Sequence, residues 1–291
     1  MKEFTKSRFV AGGALSGVSK ILALGLVFAA TGCSTVFTSV TSGVTSPSYQ
    51  SLTGNWQFQL IPTAGPVISP IVAGYLDQEP ENATSNSLSA ELQVVNPSSC
   101  YERANLVPLY GYVRGDEVGI YSFTVNGQFL NTNFTENPTQ TTLTGTYQVL
   151  GGCAGGQGAA GTMIGIRYAP LTGTFNGSLT GTATSLPVTL TLAQTPLGNG
   201  DGTFFVAGTA SIQNSSCFNQ GAIAATAGYV LGSAMNLTFT AADGSQLSLE
   251  GSFDPTADTI TITAASFVNG SCPGSLGTGR LLLQQQISSI S

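Results

Sequence analysis

The chain has 291 residues, of which 42% are hydrophobic and only 8% charged, with 37 Gly and no His. That composition excludes a disordered polyelectrolyte, a collagen-like repeat and a coiled coil. Lacking His, the chain lacks the commonest general base, and its mean hydropathy of +0.22 is far below that of a polytopic membrane protein.

Residues 1–20 carry Lys2, Lys6, Arg8 and Lys20 against a single Glu3, and Ile21 to Thr31 is then an uncharged apolar run of 11 residues. A helix needs about 20 apolar residues to cross a bilayer, so the run predicts a signal helix that is removed on export. It ends in Ala30-Thr31-Gly32-Cys33. This resembles the lipobox of bacterial lipoproteins: small residues before a Cys, no charge in the preceding positions, and a Ser/Thr-rich stretch after it. Leu is the commoner residue where Ala30 stands. The resemblance implies that the Cys33 sulfur receives diacylglycerol, that residues 1–32 are cut away, and that the new amino group is acylated. Ser34, not Asp, follows the Cys, which by the enteric sorting rule implies the outer membrane. The rival reading is an ordinary secretory peptide with a free Cys33. One acyl chain binds membranes marginally and several hold firmly, so the chemistry of Cys33 decides whether the protein is anchored. Residues 33–50 read as a flexible tether.

Four of the eight basic residues and one of the 14 acids fall in residues 1–32, leaving four Arg against 13 acids and a net charge of −9. Arg103, Arg114, Arg167 and Arg280 are scattered, so no basic patch points to nucleic acid.

The remainder is duplicated. Leu52-Thr53-Gly54-Asn55-Trp56 matches Leu171-Thr172-Gly173-Thr174-Phe175 at an offset of 119, and Leu130 to Cys153 aligns without a gap on Leu249 to Cys272 at the same offset. Phe134 then falls on Phe253, Leu143 on Ile262 and Cys153 on Cys272. Ser98-Ser99-Cys100 matches Ser215-Ser216-Cys217 at an offset of 117. The repeats are residues 51–168 and 169–291. Setting Cys33 aside, four cysteines allow three pairings. Closure of each repeat on itself gives Cys100–Cys153 and Cys217–Cys272, with the similar spans of 53 and 55 positions. In an oxidising compartment each such bridge adds roughly 4 kcal/mol in the chain-entropy model. The same four Cys show no C-x-x-C spacing and have no His to complete a metal site.

Alternation at period two marks half-buried antiparallel strands in both repeats. Trp56, Phe58 and Leu60, then Ala90, Leu92 and Val94, then Tyr121, Phe123 and Val125 alternate in the first. Val188, Leu190 and Leu192, then Met235, Leu237, Phe239 and Ala241, then Ile260, Ile262 and Ala264 do so in the second. Turn signals separate them, among them Asn126-Gly127, Asn199-Gly200-Asp201-Gly202, Asp243-Gly244 and Asp254-Pro255. The second repeat counts about eight strands, near residues 171, 187, 203, 221, 231, 245, 258 and 278. The expected fold is therefore all-β: two tandem antiparallel meanders, each a barrel or a flattened sandwich. Cys217 and Cys272 then fall in connections at the same end. Leu-Thr-Gly-x-Trp/Phe opening such a meander resembles the calycin barrels, the lipocalins and avidins, whose first strand carries Gly-x-Trp, here Gly54-Asn55-Trp56. The resemblance implies a barrel around a small-ligand cavity. An avidin biotin site uses several Trp, whereas this chain has only Trp56, which reads as a core plug, so no binding residue is carried over.

No catalytic constellation stands out. Glycoside hydrolysis needs paired carboxyls, and the acid-rich places are Glu79 with Glu81, Asp116 with Glu117, and Asp254 with Asp258. Each lies in a loop or hairpin turn, where Asp caps its own backbone. A calcium site at Asn199 to Asp201 or at Asp243 has turn oxygens but no D-x-[DN]-x-[DN]-G loop. The sequons, Asn133 and Asn236 among them, follow from composition. Two functions stand ahead of a carboxylate-based carbohydrate-active enzyme, which comes third: a non-catalytic envelope lipoprotein that binds a partner protein or builds the envelope, and a carrier of a small apolar ligand in a barrel cavity lined by Phe123, Phe134, Phe239 and Phe253. No cofactor is expected.

Overall fold

The structure is a computed structural model that describes residues 51–64, 71–80, 86–96, 106–125, 128–136, 141–150, 160–180, 185–268 and 274–283. The signal segment, the whole tether, Cys33, Cys100, Cys153, Cys272 and Glu81 lie outside the described residues.

Strands β1 (Gly54–Ala64), β2 (Ile71–Pro80), β3 (Asn86–Val94), β4 (Leu106–Arg114), β5 (Glu117–Val125), β6 (Gln128–Glu136), β7 (Thr142–Leu150) and β8 (Ala160–Tyr168) form the first repeat. The second holds β9 (Gly173–Thr180), β10 (Ser185–Gln194), β11 (Phe204–Ile212), β12 (Gln220–Leu231), β13 (Ala234–Thr240), β14 (Gln246–Asp254), β15 (Thr259–Phe267) and β16 (Gly274–Leu283). Every pairing is antiparallel between neighbours in sequence, and each meander closes into a barrel as its last strand returns to its first. The sequence alone left barrel and sandwich open; closure is set by long pairings that place Trp56 opposite Arg167 and Phe175 opposite Leu283. It also removes the open sheet edges that so weakly charged a chain would otherwise expose.

The inward positions are those the alternation picks out, with two corrections. On β5 Val118 and Ile120 are the buried pair, while Tyr121 stands opposite the exposed Tyr110 on the outer face. On β15 a register shift after Ile262 buries Ala265 in place of Ala264. Trp56, Phe58, Leu60, Leu92, Phe134 and Leu143 are buried in the first barrel, and Phe175, Leu190, Leu237, Phe239, Phe253 and Ile262 in the second. Residues matched by the repeat, Trp56 with Phe175 and Phe134 with Phe253, occupy matching places. Burying each such side chain contributes about 1.5–3 kcal/mol.

The Leu-Thr-Gly motif is the clasp of each barrel. Leu52 and Leu171 are fully buried plugs. Their backbone N–H groups donate to the side-chain oxygens of Gln78 and Gln194, each at 2.8 Å. The following hydroxyls, Thr53 and Thr172, accept from the backbone N–H of the same two Gln, at 3.0 and 3.3 Å. A reciprocal pair therefore pins the incoming chain to the second strand of each barrel. Trp56 Nε1 completes the first clasp by donating to the Leu52 carbonyl at 2.6 Å.

The described residues of both repeats belong to one compact unit. Only Ala169–Thr172 separate β8 from β9, and Leu171 is itself a plug, so the barrels are held side by side. The Asn55 carboxamide, on the outer face of β1, bonds both backbone groups of Gly232 in the β12–β13 turn: Nδ2 donates to the carbonyl and Oδ1 accepts from the N–H, each at 2.8 Å. Gln57 Oε1 accepts from the Ser233 N–H and hydroxyl at 3.1 and 3.0 Å. Gln93 Nε2 donates to the Asp201 carbonyl. Gly232 has φ +58, and a Cβ there would lie 2.7 Å from Ala73 Cβ; one on Gly202, φ +81, would lie 2.2 Å from the Glu91 carbonyl. Both turns need glycine for conformation and for closeness.

Two outcomes are expected. Leu171→Ala, which opens a cavity at the clasp, lowers stability by about 2–5 kcal/mol, read from the urea midpoint. Asn55→Ala leaves two buried backbone groups unpaired at about 1–3 kcal/mol each, and calorimetry should then resolve separate melting of the two barrels where the parent melts once.

Candidate functional site

Two convex barrels joined by a short linker cannot fill the corner between them. The result is a cleft of about 840 Å³ where the end of β8 meets the end of β10 and the β14–β15 turn. Its apolar wall comes from Ile166, Pro170, Pro196, Phe204 and Pro255. Ile166 keeps 41% of its surface exposed, while Phe204, at 1%, is held edge-on against Tyr75 with ring centroids 5.4 Å apart. The outward alternation of β8 that exposes Ile166 also leaves Ile164 half-exposed next to Ile61 on β1.

The polar end of the cleft is built by Arg167 and Tyr168. Arg167 donates from Nη1 to the Ser51 carbonyl at 3.0 Å and from Nη2 to the Thr53 carbonyl, which ties the start of the first barrel to its last strand. The Tyr168 phenol has its pKa raised by burial, an effect partly opposed by its hydrogen bond with Ser233 of the second barrel and reinforced by Asp254. Thr53 and Gly54, on the rim, lie just past the tether.

The residues singled out from sequence are distributed as follows. Trp56 is fully buried, stacked at 5.9 Å on Phe58, the core plug expected. Phe134, Phe239 and Phe253 point inward; Phe134 meets Phe58 at 5.8 Å and Phe253 meets Phe175 edge-on at 6.0 Å. The side chain of Phe123 lies outside the description. Cys217 sits in the β11–β12 connection, half-buried against the second core, and is disulfide-bonded. Its neighbour Phe218 stacks on Phe267, the last residue of β15, at 6.4 Å and 24°.

The acids serve the turns that hold them. Asp254 accepts from the N–H groups of Thr256 and Ala257 at 2.9 and 3.2 Å. Asp201 accepts from the Thr203 N–H and hydroxyl, and Asp243 does the same for Ser245; the two Ser245 bonds lower the pKa of Asp243. Glu117 accepts from Tyr112 at 2.9 Å. Among the described residues no three His, Cys, Asp or Glu converge on a point that could hold a metal ion. The cleft itself was invisible in the sequence, because Asn55, Gly232 and Ser233 meet across 176 or more positions and each looks like ordinary strand or turn chemistry.

No protein-family model and no curated protein matches the chain. Among solved structures, one described as EF1p2_mFAP2b bound to DFHBI is similar to it, at 14% identity and a TM-score of 0.29, over 40% of this chain and 94% of that one.

Proposed function

We propose that the chain is an exported, non-catalytic lipoprotein, anchored through Cys33, that carries a small apolar molecule in the cleft between its two barrels. The observation that carries this reading is the cleft: its volume of about 840 Å³ lies in the range of about 300–1,000 Å³ usual for small-molecule sites, and an apolar wall with a few polar groups at one end is their usual chemistry. The volume assigned to the ligand is this cleft between the barrels. Anchoring rests on the apolar run, the lipobox-like Ala30 to Cys33 and the Ser/Thr-rich tether, which joins the first barrel at the rim of the cleft. The cleft is thus tied to the membrane-attached end of the chain, and the ligand class that suits it is an apolar molecule of the envelope.

The bridges proposed are Cys217–Cys272 and, by the duplication, Cys100–Cys153. What supports the pairing is that Phe218, next to Cys217, stacks on Phe267, the last residue of β15 and five positions before Cys272 in the chain.

Native mass spectrometry of the full chain in detergent, followed by denaturation, tests the carrier reading. A copurifying mass lost on denaturation is expected, and Ile166→Asp, which sets a charge on the exposed apolar wall, should abolish it. Retention of that mass by the variant, or an apo parent that shows no saturable binding of anilinonaphthalene sulfonate, would refute it. Cys33→Ser should move the protein from the membrane to the soluble fraction, and alkylation under denaturing, non-reducing conditions should modify none of the other four cysteines.

A further inference from the structure

The outer wall of the first barrel carries a second concavity, of about 330 Å³, whose far side is the β10–β11 loop of the second barrel. Antiparallel register lines up its floor. Tyr75 on β2 stands opposite Glu91 on β3, Asp77 opposite Ser89, and Ser89 opposite Tyr110 on β4. The intervening positions Leu76 and Ala90 are buried, so the polar and aromatic side chains share the outward face. Cross-strand neighbours on one face lie about 4.5–5.5 Å apart, which gathers two phenol rings and two carboxyls within the span of one small molecule. The loop presses close: a Cβ on Gly198 would come within 2.4 Å of Tyr75 Cβ.

The walls are fixed before any ligand arrives. Tyr75 is held edge-on by Phe204, its hydroxyl bonds Asp77, and burial together with that carboxylate raises its pKa to about 12. It therefore stays neutral, with an intact ring. Glu91 has its pKa raised by burial and then by the neighbouring Asp201 carboxylate. No Lys occurs in residues 33–291, and among the described residues no Arg lines the pocket.

We infer that this pocket binds a small organic cation, an amine or quaternary ammonium group, with Asp77 and Glu91 as its counter-charges and the rings of Tyr75 and Tyr110 as its aromatic walls. Aromatic rings attract such cations when water is excluded, and a carboxylate beside them adds a charge-assisted contact. A bare metal ion would need more oxygen ligands than converge here, and an anion would be repelled. The pocket is distinct from the apolar cleft: its chemistry is acidic and aromatic, and the two share no lining residue.

Titration calorimetry on the full chain in detergent, with choline and with neohexanol, its uncharged isostere, tests the assignment. Saturable binding of choline is expected, with neohexanol weaker by about tenfold or more. Glu91→Gln should weaken choline by a similar factor, and the exposed Tyr110→Ala by about two- to fivefold. Ile166→Asp, which acts on the other cleft, should leave choline binding unchanged, so failure here and failure of the carrier reading are separable. Equal binding of choline and neohexanol, no saturable heat with choline, or choline binding undiminished in a folded Glu91→Gln variant would overturn the proposal.

Discussion

The carboxamide of Asn55 is the contact on which the arrangement of this molecule turns. Two closed barrels each satisfy their own backbone and bury their own cores, so nothing within either requires the other. Asn55 changes this by engaging the donor and the acceptor of Gly232 at once. Neutral hydrogen bonds contribute only about 0.5–1.5 kcal/mol each when made, but leaving such buried groups unpaired is costly. The bonds therefore specify one docking geometry more than they drive docking. Both concavities exist because the barrels meet at this angle: the apolar cleft beside the linker, and the acidic pocket beneath the β10–β11 loop.

The two repeats share a closing device and differ where the interface lies. Each barrel has its plug leucine, its reciprocal Gln and Thr pair, and an aromatic at the same inward place. Outside, the positions have parted. Thr174 stands where Asn55 stands, and its hydroxyl lies 3.3 Å from that of Thr191 on the neighbouring strand of its own barrel. Leu283 faces Phe175 where Arg167 faces Trp56. The contact is heterologous, the wall of one barrel against a turn of the other, and such contacts repeat into open arrays when both copies carry both surfaces.

Weak charge is consistent with this design. With four Arg and no Lys in residues 33–291, ion pairs contribute little, and the fold is held by apolar burial, sheet closure and neutral side-chain bonds. Asp201, Asp243 and Asp254 are spent on their own turns. Asp77 and Glu91 instead sit on β2 and β3, the strands that face the β10–β11 loop of the second barrel.

The sequence by itself determined the duplication, the strands and most of the inward faces, because each is written in local pattern: a period of two, a turn dipeptide, a repeated motif. Val188, Leu190 and Leu192 read as one buried face in the chain and are one in the fold. The plug role of Leu52 and the reciprocal use of Thr53 and Gln78 were not legible, although the motif was, since its partner lies 25 residues away on another strand. Only the tertiary structure decided that the meanders close, that the barrels dock through Asn55 and Gly232, and that two concavities open between them. Those outcomes depend on contacts across more than a hundred positions, and no local periodicity records which distant turn will meet a given outward side chain.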